Sequence, residues 1–183
     1  MKNIKYLITL TSLWLSFSLL SPTFGQENNF IKEYLERLEN SRTYLMLVVE
    51  AMPEEQFNFK ATQESMSFAE HLMHIGWAMD WHSQSLMGER DARDWNTDTE
   101  LKVDNKSKKE MIAKIDETFN KTIAFISNFD TIKLEERLDY FGADRTKRQI
   151  LLLLTDHITH HRGQMLVYMR LNGLKPPRYV LYQ

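Results

Sequence analysis

The stretch Thr146-Lys-Arg-Gln-Ile-Leu-Leu-Leu-Leu-Thr-Asp-His-Ile-Thr-His-His-Arg-Gly-Gln-Met-Leu-Val-Tyr-Met-Arg-Leu171 is the strongest helical pattern in the chain. It is rich in good helix formers, and its interior contains no proline. Asn172 and Gly173 suit a helix end, and Pro176-Pro177 forbid continuation. Within it, His157 and His161 are four residues apart. At about 100° per residue they lie roughly 40° apart around the axis and one turn along it, so both imidazoles can reach one ion. Ile150, Leu153, Gln164 and Tyr168 share their stripe, which points the pair inward and makes Gln164 a candidate partner for a ligand's outer nitrogen.

Working outward, three more amphipathic runs appear. Phe30, Ile31, Tyr34, Leu35, Leu38, Leu45, Val48 and Val49 recur at three- and four-residue steps and predict a helix over Asn28–Met52, stopped by Pro53. Ser67 with Glu70, and Ser107 with Glu110, form capping boxes that predict helices over Phe68–Met87 and Lys108–Phe129. The polar segment Glu89 to Asn105 reads as a long connection, and the piece ending in Phe141-Gly-Ala-Asp144 as irregular. Glycine and proline are scarce, at 6 and 4 of 183 residues. The expected fold class is therefore all-α, a four-helix bundle, and bundle cores are common places for metal sites.

All six histidines fall in two of these helices: His71, His74 and His82 on the second, and His157, His160 and His161 on the fourth. A third ligand should come from the second helix, although periodicity alone does not choose among its three histidines. Three nitrogens without a fourth protein ligand leave a position open, as in catalytic rather than structural zinc sites. The competing reading of an isolated His-x-x-x-His pair is a surface feature or a hydrogen-bonded core pair. Trp77 and Trp81 read as core aromatics, Arg162 as solvent-facing, and Gly163 as a point of close helix packing. Glu70, Asp80 and Asp156 read as wet-face charges rather than a general base.

The first residues have the form of a secretory signal: Lys2 and Lys5, an apolar run Tyr6–Leu20, then Ser21-Pro-Thr-Phe-Gly25. Residues 1–25 are expected to be removed, leaving residues 26–183 as one periplasmic or secreted domain with no stable membrane insertion, since the run is short for a span. Removing Lys2 and Lys5, with no acid lost, takes the formal charge from -2 to -4. The acidic balance, without a basic stripe, argues against nucleic acid as a partner. No cysteine is present, which excludes disulfides, thiolate metal sites, a cysteine nucleophile and a lipoprotein anchor.

Asp156-His-Ile-Thr-His-His-Arg-Gly-Gln164 resembles the last-helix motif of the DinB/YfiT-like superfamily. Ser67-Phe-Ala-Glu-His-Leu-Met-His-Ile75 resembles its second-helix motif, and Tyr168-Met-Arg-Leu-Asn-Gly-Leu-Lys-Pro-Pro-Arg-Tyr179 its closing segment. The resemblance implies a four-helix bundle with a divalent metal, zinc or nickel, held by His74, His157 and His161, and it favours His74 over His71 and His82. The resemblance does not settle the reaction; the open position makes a metal-dependent hydrolase or a group (thiol) transferase, acting on a small molecule that the motifs do not identify, the leading expectation. Relatives of this kind include bacillithiol- or mycothiol-dependent transferases, a maleylpyruvate isomerase and a domain of sulfoxide synthases. An export signal sits poorly with a cytosolic thiol. The competing expectation is a non-catalytic exported bundle with a structural metal, acting as a homodimer or partner-binding module.

Overall fold

The helix starts are set by side chains that satisfy the first-turn amides. Residues 23–179 are described by a computed structural model, and all but the last three residues of the expected signal, residues 1–25, lie outside them. Ser67 Oγ accepts from Glu70 N at 3.1 Å while Glu70 Oε2 accepts from Ser67 N at 2.5 Å. Ser107 and Glu110 repeat the arrangement, and Thr146 and Gln149 make a third box that the sequence reading did not anticipate. Each such cap contributes about 1 kcal/mol. The helices are α1 (Thr23–Ala51), α2 (Phe68–Asp80), α3 (Lys108–Ser127) and α4 (Lys147–Leu171). α3 ends two residues before the expected Phe129, where Asn128 leaves helical geometry.

α2 lies between α3 and α4, and α1 packs on the same two helices, closing a four-helix bundle. Its centre is filled by fully buried Leu45 and Val48 of α1, Leu72 and Ile75 of α2, Ile115 and Phe119 of α3, and Leu154 and Ile158 of α4. Truncating Phe119 there would cost about 3–5 kcal/mol. No helix among the described residues is long and apolar enough to cross a membrane.

Two departures from the expected architecture matter for the site. Trp81–Met87 continues α2 as a π-helical stretch. There His82 Nδ1 and Ser83 Oγ each donate at 2.7 Å to carbonyls four residues back, those of Ala78 and Met79, and Gly88 N bonds Ser83 O five residues back. Such side-chain bonding loosens a helix, and π segments gather at functional sites. The fold is also not purely helical: Arg137–Tyr140 (β1) and Ala143–Thr146 (β2) form an antiparallel hairpin where an irregular piece was expected. Its four-residue strands are too short to show an alternation in the sequence.

Candidate metal centre

α2 and α4 bring their histidines face to face. His74, His157 and His161 each offer a ring nitrogen, and these atoms all lie within 4.8 Å of one another. Ring centroids are 4.5 Å apart for His157 and His161, 4.7 Å for His74 and His161, and 5.0 Å for His74 and His157. Among the described residues, no carboxylate joins this cluster. Burial, the largest influence on each ring, holds His74 below its usual pKa, pushes His157 down to about 4 and pushes His161 down to about 3. The rings are neutral near pH 7, the state in which imidazole ligates a metal.

The hydrogen bonds distinguish the three histidines of α2. His82 is satisfied at both nitrogens: Nδ1 donates to Ala78 O, and Nε2 accepts from Tyr140 Oη at 3.1 Å. His71 is buried beside Tyr168, whose hydroxyl donates to Met66 O at 2.9 Å. With its proton committed there, that hydroxyl can only accept a hydrogen bond from His71 Nε2, 3.4 Å away. His71 Nδ1 is therefore an acceptor for Nδ1–H of His161 at 2.8 Å, which leaves His161 Nε2 with its lone pair. His74 differs from both neighbours, because its Nδ1 is buried and has no hydrogen-bond partner among the described residues; the same is true of His157 Nε2. Leaving such an atom unpaired costs about 1–3 kcal/mol, which a ligand would offset. The donor set therefore fits a divalent ion of the borderline type that imidazole favours.

Several residues sit otherwise than expected. Arg162 is buried rather than solvent-facing, turned away from the triad so that Nη1 donates to Ser41 Oγ at 2.5 Å and the guanidinium lies over the Tyr44 ring. It keeps step with buried Ile158 and Met165, a signal that was present in the sequence. Gly163 is no close-packing point, since an added Cβ would meet nothing within 4 Å. Gln164 is exposed, with no hydrogen bond to a triad histidine among the described residues, and His161 has His71 as its outer partner instead. Asp156 is exposed as expected, and Glu70 is occupied in its capping box and by Lys60.

Asp80 is buried rather than wet, bonded to Arg90 and, at 3.2 Å, to Arg93. Arg93 also reaches Asp98 at 2.6 Å. These pairs tie the α2–α3 connection back onto α2 and set Trp95 beside the site, with ring centroids 4.7 Å from Trp77 and 5.9 Å from His74. Trp77 and Trp81 are only partly buried and line a cavity; Trp77 also packs against the core, as expected, whereas Trp81, among the described residues, does not.

The fold and site define a helical bundle with a three-histidine centre of metal-binding character. Residues 25–182 match the family model described as the DinB family, and the chain belongs to that family. It is similar in fold to the DinB-like protein YjoA of Bacillus subtilis, with a TM-score of 0.66 and 23% identity over 82% of this chain and 99% of that one. A DinB-like protein of Bacillus cereus gives a TM-score of 0.64 and 20% identity over 84% and 97%. YfiT of Bacillus subtilis, described as a probable metal-dependent hydrolase with an unusual four-helix bundle topology, gives 0.60 and 17% over 85% and 93%. Uncharacterized protein YrdA of Bacillus subtilis is 43% identical over 44 residues, so the chain matches about a quarter of that relative's length.

Proposed function

We propose that the protein is a metal-dependent hydrolase or group transferase acting on a small molecule, with His74, His157 and His161 as the ligands of a divalent ion, zinc or nickel. The observation that carries this reading is the triad itself, in which neutral, inward-facing rings converge and two buried nitrogens lack hydrogen-bond partners among the described residues. YfiT, a probable metal-dependent hydrolase, is similar in fold and agrees with it. When bound, such an ion supplies Lewis acidity to a substrate carbonyl, or acidifies a water or thiol, at the position the three histidines leave open. His71 holds His161 in the tautomer that presents Nε2, and Trp77 and Trp81 stand in the wall of a cavity beside the site, with Trp95 packed on Trp77.

The basic start and apolar run over residues 1–20, with a cleavage site near Gly25, support export to the periplasm or the exterior. The test is elemental analysis of protein purified without an affinity tag, followed by a screen of ester, amide and thiol-transfer substrates with and without a chelator. About one zinc or nickel per chain, with activity lost on chelation, is expected. Absence of bound metal together with chelator-insensitive activity would overturn the reading.

A further inference from the structure

Next to the triad lies a cavity of about 380 Å³ whose wall includes Trp77, Trp81, Tyr140 and Phe141 together with His74 and His157. Two triad members thus form part of its lining, so a molecule held there touches the face of the centre. Trp81 packs at centroid distances of 5.6 Å on Tyr140 and 5.3 Å on Phe141, so the three rings form one aromatic cluster in the cavity's wall. An apolar cavity of about 150 Å³ accepts benzene, so this one has room for a one- or two-ring group.

The wall offers little to a charged occupant. Among the described residues Arg93 is its only charged side chain, and its guanidinium is engaged by Asp80, Asp98 and Glu100. Both nitrogens of His82 are taken by Ala78 O and the Tyr140 hydroxyl. Among the described residues no carboxylate lines the cavity to hold a cation, and a divalent ion beside it would repel one.

The hairpin gives an independent indication. Its two-residue loop, Phe141-Gly142, has φ of 54° and 80°, the pattern of a type I′ turn, whose first position favours Asn or Asp. A bulky residue at positive φ is strained there, yet Phe141 stands 81% exposed at the cavity's edge. Strain kept at such a point signals use rather than packing.

We propose that this cavity binds an uncharged aromatic group of the substrate, with Trp81, Tyr140 and Phe141 as the recognition surface and the reacting end of the molecule on the triad. The proposal rests on the reading of the triad as a metal centre, and its test separates the two. Zinc-loaded protein is titrated with acetohydroxamic acid, which needs only the metal, with 2-naphthohydroxamic acid, which needs metal and cavity, and with 2-naphthol, which needs the cavity alone. The naphthyl hydroxamate is expected to bind about tenfold or more tightly than acetohydroxamic acid, from the apolar surface it buries. Phe141→Asn, which suits the turn and so keeps the fold, and Trp81→Ala should each remove most of that advantage, with acetohydroxamic acid as the reference. Equal affinity of the two hydroxamates, or a naphthyl advantage that neither variant reduces, overturns the cavity assignment. If acetohydroxamic acid does not bind while 2-naphthol binds and is weakened by both variants, the metal reading fails and the aromatic site stands. If 2-naphthol also fails to bind, or binds both variants as well as the parent, the aromatic site falls too.

Discussion

His71 Nδ1 and His161 Nδ1 lie 2.8 Å apart in a buried contact between α2 and α4. Only one of the two nitrogens can carry a proton there, and the chain Met66 O, Tyr168 Oη, His71, His161 decides which. The arrangement is the imidazole version of the outer hydrogen bond that orients metal-ligating histidines.

His71→Phe, which keeps ring volume but removes the acceptor, should therefore weaken metal binding by about 10- to 100-fold without abolishing it. His157→Ala or His161→Ala should abolish most of it. Competition titration against a chelating dye measures the affinity, and imidazole nitrogen shifts report whether His161 loses its single tautomer. Unchanged affinity together with an unchanged His161 tautomer would show that His71 merely packs.

Breaking the Asp80 pairs should free the connection that carries Trp95. Asp80→Asn keeps the shape but loses charge-assisted bonds to Arg90 and Arg93, at a cost of about 1.5–3 kcal/mol. Faster proteolysis between Gly88 and Asn105, with a red-shifted tryptophan emission, is the expected result. A proteolysis pattern like that of the parent would mean that Trp95 is held by its ring contacts alone.

What the sequence made legible was whatever repeats locally. The capping boxes at Ser67 and Ser107 and the four-residue step from His157 to His161 depend on neighbours within one turn, and the structure has them where expected. Contacts made across the chain were not legible. Asp80 meets Arg90 and Arg93 only because a loop folds back, and periodicity could not tell His71 from His74: the motif resemblance favoured His74, and the physical distinction lies in which nitrogens are already satisfied. Arg162 lay within reach of periodicity, but its charge outweighed its register with Ile158 and Met165 in the sequence reading.

Gly163 offers a substitution that should stabilise. It sits inside α4 without a positive φ, and among the described residues an alanine Cβ there would meet nothing within 4 Å. Gly163→Ala should add about 0.5–1 kcal/mol by restricting the unfolded chain, raising Tm by roughly 1–4 °C for a domain of this size. Calorimetry of the two proteins decides it, and a lower Tm would mean that α4 needs the glycine for a reason its surroundings do not show.

The metal-free protein should be acid-labile in a particular window. Burial pushes His71, His82 and His157 down to about 4 and His161 to about 3, while the same rings in the unfolded chain titrate near 6.5. Above about pH 6.5 both states are neutral and the full stability is present. As pH falls from there toward about 4, the unfolded chain takes up protons that the folded rings refuse, so stability declines. The slope is at most about 1.4 kcal/mol per pH unit for each such histidine, and less where water screens the ring. A bound ion adds stability by mass action, about 2.7 kcal/mol at a hundredfold excess over Kd, and protons compete with it for the same nitrogens. Melting curves at pH 7, 6 and 5, with and without a chelator, should therefore show two effects: chelation lowers Tm at pH 7, and the gap between the curves narrows as pH drops. A chelated protein whose Tm is flat from pH 7 to 5 would contradict the buried neutral histidines, and a chelator without effect at pH 7 would contradict the metal.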